Sequence, residues 1–253
     1  MFVDTHSHLY LSNFDNDIAN VVNNAINNNI KKIYLPNIDS TTIDDMLNLE
    51  KNYPDIFHSM IGLHPGSVNE NYKKELDIVK RELEKGNYVG IGEVGIDLYW
   101  DKTYKKEQID AFNQQVIWAK EYNLPVIIHA RDAMDLTIEI IENNKSENLN
   151  GIFHCFTGNI DQAFRIMKTG FKMGIGGIVT YKNSGLDKVV REIPLEYIVL
   201  ETDSPYLPPV PFRGKRNESS YLVYIANKIA EIKGLPVEEI EKITTINANK
   251  IFN

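Results

Sequence analysis

The chain of 253 residues is 43% hydrophobic and 25% charged, and its formal net charge is −8. This composition is typical of a globular protein with a sizeable core, and the acidic balance argues against a protein that coats nucleic acid through general electrostatics. A single cysteine excludes a disulfide framework, and no apolar run is long enough to span a membrane, so we expect a cytoplasmic protein without a membrane partner.

Eight short, mostly β-branched apolar runs start roughly 20 to 40 residues apart, which is the spacing of successive strand–helix units. The runs are "FVDTH", "KKIYLPNI", "FHSMIGLHP", "YVGIGEVG", "PVIIHA", "NGIFHCF", "FKMGIGGIV" and "EYIVLETD". Continuous apolar strands are buried on both faces, as in a parallel sheet covered by helices. Without any linker or break in composition, these units predict a single (β/α)8 TIM-type barrel domain over residues 1–253, with a doubly wound open sheet as the alternative.

Amphipathic stretches separate these runs. Apolar residues at helical spacing predict helices over 17–29 and 107–123. The last two stretches, 218–234 and 236–252, are expected to be closing helices with a boundary at Gly234.

The stretch "VDTHSHL" places His6 and His8 one residue apart at the end of the first run. Residues i and i+2 of a strand point to the same side, so both imidazoles would project together. Two imidazoles aimed at one point indicate the start of a metal site, although two solvated side chains in a turn would give the same pattern.

Other polar side chains also fall at the carboxyl ends of the runs, which meet at one rim of a closed parallel barrel, where barrel active sites lie. Five of the six histidines would meet there. The residues at these ends are His6, His8, His64, Glu93, Asp97, His129, Arg131, His154, Glu201 and Asp203.

Single residues of this set also have ordinary structural interpretations. His129 and His154, each taken alone, are more often core histidines than ligands, and Asp203 could cap a turn before a proline. Glu93 is harder to explain in this way, because a carboxylate at the end of a buried strand is costly unless it is paired or metal-bound. Cys155 would point away from the face that His154 uses, so we interpret it as a packing residue.

Four histidines and two carboxylates exceed the needs of one tetrahedral ion that keeps an open position. They suffice for two divalent ions with a shared carboxylate and room for water, an arrangement that activates water in phosphoryl-group displacement. Imidazole and carboxylate ligands suit zinc, manganese, iron, cobalt or nickel better than magnesium alone, without fixing which ion is used.

Seven stretches in order resemble the TatD-type metal-dependent deoxyribonucleases, within the amidohydrolase-like barrels. They are "VDTHSHL", "GLHP", "GEVGID", "VIIHARDA", "FHCFTG", "ETDSPYL" and "RGKRNE", and they extend over nearly the whole chain. The resemblance implies two metal ions bridged by Glu93. The implied ligands are His6, His8, Glu93 and Asp203 for the first ion and Glu93, His129 and His154 for the second.

The resemblance also implies roles around the metals. His64 and Arg131 look like phosphate-side residues, while Glu201 and Asp97 would support the ligands from behind. Asp203 would orient the water and take its proton, so that it and Glu93 are the expected catalytic residues.

Three further features concern the substrate side. Arg213 and Arg216 lie in "PFRGKRNE", the densest positive cluster of the chain, and are expected to contact a phosphate backbone. The sequence departs from the family at Gly66, where a histidine or aromatic residue is frequent, and at Ser219, where proline is usual. Both departures are expected on substrate-side loops.

The expected activity is therefore hydrolysis of DNA phosphodiester bonds with two divalent ions (Mg, Mn or Zn), as a 3′–5′ exonuclease on single-stranded ends. The acidic chain is compatible with this, because bound cations supply positive charge. The alternatives are a small-molecule amidohydrolase or lactonase and an esterase that clears misacylated D-aminoacyl-tRNA, since one barrel hosts many chemistries. Glu93 stands where the commonest amidohydrolase design has a carbamylated lysine. A non-enzymatic metal-binding scaffold fits the convergent ligands poorly, and no obligate protein partner is indicated.

Overall fold

Eight short parallel strands follow one another in the computed structural model, which describes residues 1–252. They are β1 (Phe2–Asp4), β2 (Ile30–Pro36), β3 (Phe57–Met60), β4 (Ile91–Asp97), β5 (Val126–Arg131), β6 (Gly151–Phe153), β7 (Lys172–Ile175) and β8 (Ile198–Leu200). Each strand overlaps one of the apolar runs of the sequence, so the strand predictions are confirmed.

The strands form two hydrogen-bonded sheets that together make one barrel. β1 to β3 form one sheet and β4 to β8 the other, each in sequence order. One seam is bridged where Ile61 pairs with Ile91, and the other where Ser7 pairs with Ser204. The (β/α)8 TIM-type barrel is confirmed, and the doubly wound open sheet is wrong.

Nine α-helices lie among the described residues. They are α1 (Ile18–Asn27), α2 (Ile43–Asn52), α3 (Tyr72–Leu83), α4 (Lys105–Tyr122), α5 (Met134–Asn143), α6 (Ile160–Thr169), α7 (Leu186–Glu192), α8 (Leu222–Lys233) and α9 (Val237–Phe252). The predicted helices correspond to α1, α4, α8 and α9. Within residues 1–252, none of the helices is both long and apolar enough to cross a membrane.

The last helix closes the amino-terminal end of the barrel. Ala248 and Ile251 of α9 join a cluster of apolar barrel residues that includes Val3 and Val199. The Asn247 side-chain amide donates hydrogen bonds of 2.9 Å to the carbonyl of Leu195, just before β8, and of 2.8 Å to the carbonyl of Ile198, the first residue of β8. This end of the barrel is therefore filled and capped, and the functional side chains lie at the other end.

Candidate metal centre

The polar residues that follow the strands surround one cavity of about 640 Å³ at the carboxyl ends of the strands. The predicted site residues that line it are His8, His64, Glu93, Asp97, His129, Arg131, His154 and Asp203. His6 and Glu201 lie just beneath this lining and are fully buried.

Glu93, on β4, stands at the centre of the cluster and is 3% exposed. Its Oε2 lies 3.2 Å from His6 Nε2 and 3.4 Å from His8 Nε2. Its Oε1 lies 2.7 Å from His129 Nδ1 and 2.8 Å from His154 Nε2. One carboxylate therefore faces both predicted groups of histidines, which is the arrangement that a bridging ligand requires.

Asp203 completes the group on the Oε2 side of Glu93. Its Oδ1 lies 3.8 Å from His6 Nε2 and 3.6 Å from His8 Nε2. Its backbone has a φ of 56°, in the left-handed region, and its N–H donates to the carbonyl of His6 at 2.9 Å. This hydrogen bond joins the segment after β8 to the segment after β1, so the two sets of side chains meet.

Burial and neighbouring charges shift the pKa values of the titratable groups in the cluster in different directions. It raises the pKa of Asp203 to about 6, and the charges of Glu93 and Glu201 act in the same direction. Burial alone would also raise the pKa of Glu93, but His154, whose own pKa is raised well above its usual value beside this carboxylate, holds it well below its usual value. Burial, with His154 nearby, lowers the pKa of His6 well below its usual value, and a neutral imidazole is the form that binds a cation.

Tyr10 selects the tautomer of His8. The Tyr10 hydroxyl donates its only hydrogen to the carbonyl of Pro36 at 2.6 Å, so it must accept from His8 Nδ1, which lies 2.9 Å away. A neutral imidazole carries one proton, and the Nε2 of His8 therefore presents a lone pair to the cluster. The donor set and its orientation thus fit a divalent cation.

His64 carries its proton on the opposite nitrogen. The backbone N–H of Gly66 donates to His64 Nδ1 at 2.9 Å, which leaves the proton on Nε2. That atom lies 3.5 Å from Glu93 Oε1. His64 is close enough to Glu93 and His129 to count as a potential ligand, but a protonated Nε2 donates to anions and does not bind a cation.

A carboxylate stands behind each histidine of the second group. Asp97 Oδ2 lies 3.0 Å from His129 Nε2, and Glu201 Oε1 lies 3.5 Å from His154 Nδ1. Gly174 of β7 leaves the space for Glu201, because a Cβ at that position would overlap with its carboxylate. Such carboxylates orient the imidazole rings of metal sites and strengthen them as ligands.

The three arginines predicted to bind phosphate have different positions. Arg131, at the end of β5, lines the cavity. Arg216 instead forms an ion pair of 2.7 Å with Asp17, just before α1, and Arg213 lies over the ring of Tyr181, 4.2 Å from its centroid. Among the described residues that line the cavity, neither Arg213 nor Arg216 is present, so the structure does not bring these two to the cluster.

Two interpretations made from the sequence are wrong. Cys155 lines the cavity: β6 ends at Phe153, and with a φ of 44° Cys155 no longer follows strand alternation. Ser219 does not lie on a substrate-side loop but is fully buried. Gly66, the other departure from the family, lines the cavity as expected.

Asp4 is a buried residue of the site that sequence reasoning missed. It accepts hydrogen bonds from the hydroxyls of Thr202 and Ser219 at 2.6 and 2.7 Å and from the Thr202 N–H at 2.9 Å. Asp4 therefore ties together the segments that carry His6 and Asp203. A carboxylate inside an apolar run is the sequence signal for such a residue, because its burial requires partners.

Comparison with known proteins identifies relatives of this chain. The family model described as TatD related DNase matches residues 3–253. YabD of Bacillus subtilis (strain 168), described as an uncharacterized metal-dependent hydrolase, is 41% identical over 253 residues, which cover 100% of this chain and 99% of YabD.

Solved structures agree as well. The crystal structure of YjjV, a TatD homologue from Escherichia coli K12, matches with a TM-score of 0.94 at 29% identity and covers 100% of this chain and 98% of YjjV. A TatD family hydrolase from Entamoeba histolytica shares the fold, with a TM-score of 0.87 at 22% identity over 99% of this chain and 97% of its own. The chain therefore belongs to the TatD-related DNase family of metal-dependent hydrolases.

Proposed function

We propose that the protein is a divalent-metal-dependent deoxyribonuclease that hydrolyses phosphodiester bonds and shortens single strands from the 3′ end. The observation that carries the proposal is the position of Glu93, whose two oxygens face two groups of imidazoles at 2.7–3.4 Å. Two cations about 3.5–4 Å apart stabilise both the attacking and the leaving oxygen of a phosphoryl displacement. The 3′ direction is part of this proposal, and substrates labelled at either end test it.

The residues of the cavity have separate roles in this reaction. Divalent ions held by the two groups would supply the Lewis acidity that lowers the pKa of water. Asp203, whose Oδ1 lies 3.8 Å from His6 Nε2 and 3.6 Å from His8 Nε2, is placed to orient a water molecule and take its proton. His64 and Arg131, which both line the cavity, would donate hydrogen bonds to phosphate oxygens.

The test uses the purified protein loaded separately with Mg²⁺, Mn²⁺ or Zn²⁺ and end-labelled single- and double-stranded oligonucleotides. We expect stepwise shortening of single strands from the 3′ end, and its loss on chelation. The Glu93→Gln variant should lose both cleavage and bound metal, the latter measured by elemental analysis. Cleavage that survives chelation, or a variant that keeps both its metal and its activity, would contradict the proposal.

A small-molecule lactonase or amidohydrolase is the second candidate, and the size of the cavity favours it. A volume of about 640 Å³ lies within the range of small-ligand sites. Part of its lining is apolar, with Ile38, Ile178 and Leu207. Lactones, amides and D-aminoacyl esters therefore belong in the same substrate panel. A higher kcat/KM for any of them than for oligonucleotides would favour the second candidate.

A further inference from the structure

Two aromatic side chains stand exposed at the mouth of the cavity. Trp100 is 78% exposed and Tyr99 is 51% exposed, and their rings meet edge to face with centroids 4.8 Å apart. Trp100 is also part of the cavity lining. Large apolar groups in water are unfavourable, and an exposed aromatic pair beside a cavity marks a binding surface.

The positively charged side chain of Arg131 contacts both aromatic rings. Its guanidinium carbon lies 3.9 Å from the centroid of the Tyr99 ring and 5.4 Å from that of Trp100. Such cation–π contacts fix the planar guanidinium at the cavity mouth. The surface therefore combines flat apolar rings with a donor for phosphate, which are the two features that a nucleotide contacts.

The aromatic pair is anchored to the candidate metal centre through Asp97. One oxygen of Asp97 accepts the backbone N–H of Tyr99 at 2.9 Å, and the other lies 3.0 Å from His129 Nε2. Asp97 is also the register partner of Arg131 between β4 and β5. The rings are thus held at a defined position relative to the histidines and the arginine.

We propose that Trp100, with Tyr99 and Arg131, is a stacking platform for the unpaired base next to the phosphate at the metal centre. This inference rests on the proposed deoxyribonuclease function and identifies the residues that would bind the base of its single-stranded substrate. A base inside a duplex is stacked on both faces and has no free face for an indole, whereas an unpaired base does. Aromatic platforms of this kind bind bases without sequence preference.

The test compares two single-stranded oligonucleotides with the manganese-loaded protein, one with all bases and one with abasic residues at the last two 3′ positions. Trp100→Ala should raise KM for the complete oligonucleotide by about tenfold or more, and by much less for the abasic one. Trp100→Phe should keep KM for the complete oligonucleotide close to the wild-type value, because phenylalanine also offers a flat ring. The matched control is Phe164→Ala, because Phe164 is 43% exposed on α6 and is outside the residues that line the cavity; it should change neither KM.

Fluorescence provides a second measurement that does not depend on turnover. The chain has two tryptophans, and Trp118 is 7% exposed, so a stacked base should quench mainly Trp100. We expect the complete oligonucleotide to quench the protein and the Trp100→Phe variant to lose this quenching.

The outcomes separate the two proposals. If wild-type protein cleaves neither oligonucleotide with any ion, the deoxyribonuclease proposal fails and the platform fails with it. If wild-type protein cleaves DNA but Trp100→Ala leaves KM unchanged, only the platform is overturned. The same holds if Trp100→Ala raises KM by the same factor for both oligonucleotides.

Discussion

His8 and His64 carry the same side chain, yet one neighbouring hydrogen bond in each case gives them opposite tautomers. The hydroxyl of Tyr10 accepts a hydrogen bond from Nδ1–H of His8, whereas the N–H of Gly66 donates a hydrogen bond to Nδ1 of His64. The first arrangement presents a lone pair to the cluster and the second presents an N–H. A ligand and an anion donor can therefore stand within one cavity without a change of residue type.

We expect Tyr10→Phe to weaken metal binding. The variant removes the acceptor of the His8 Nδ1 proton, and loss of such a supporting hydrogen bond typically lowers metal affinity about 10- to 100-fold. Competition with a fluorescent chelator measures the affinity. Tyr34→Phe is the matched control, since Tyr34 is also buried but stacks on Phe252 at the other end of the barrel. Equal affinities for both variants would contradict the assigned tautomer.

Asp203→Asn separates proton transfer from substrate binding. The amide keeps the size of the side chain but removes its basicity, so kcat on single-stranded DNA should fall by about 10²- to 10⁴-fold. KM should change much less, because Asp203 lies beside the histidines at 3.6–3.8 Å and is not expected to hold the phosphate. Steady-state kinetics with matched metal loading measures both. A raised KM with an unchanged kcat would instead identify Asp203 as a substrate contact.

At the level of elements, the loop after β8 holds two arginines with different surroundings. Both amino groups of Arg216 bond to Asp17, and one also donates to the carbonyl of Asn13. This ties the loop to the segment before α1. Arg213 lies over the aromatic ring of Tyr181 and, unlike Arg216, is not held by a carboxylate among residues 1–252. Only Arg213 therefore remains a good candidate for contact with a phosphate backbone.

This difference predicts distinct salt dependences. Arg213→Ala should reduce the slope of log binding constant against log salt concentration by about one for single-stranded oligonucleotides. Arg216→Ala should leave the slope unchanged, because its donors are already used within the protein. Fluorescence anisotropy titrations at several salt concentrations measure both slopes. A reduced slope for Arg216→Ala would show that Arg216 also contacts the phosphate backbone of the substrate.

Periodicity predicts the strands, the helices and the rim, but not the contacts between distant segments. His154 and Asp203 lie beyond the ends of β6 and β8, where strand alternation no longer says which way a side chain points. The pairing of Arg216 with Asp17 joins residues 199 positions apart, and the hydrogen bond between Ser219 and Asp4 joins residues 215 positions apart. A local sequence pattern does not predict contacts between residues so far apart. It also does not predict which ring nitrogen of a histidine carries the proton.

At the scale of the whole molecule, stability and chemistry lie at opposite ends of the barrel. The amino-terminal end is packed by α9, and the carboxyl end carries the charged cluster. Asn247→Ala should leave the backbone carbonyls of Leu195 and Ile198 without their donor, which costs about 1–3 kcal/mol of unfolding free energy. Denaturant titration measures this loss, while metal affinity should stay unchanged. A fall in metal affinity would show that the two ends are coupled.

The closure of the amino-terminal end by α9 also bears on how many nucleotides are removed in one encounter. A terminal nucleotide cut off at the bottom of the cavity would lie beneath the strand that it came from, and it would have to leave through the mouth that this strand occupies. The strand must then withdraw after each cut, so degradation should be distributive. With substrate in excess, all chains should shorten together, and unlabelled competitor DNA added after the start should stop shortening of the labelled strands. Complete digestion of some strands while others stay at full length would contradict this expectation.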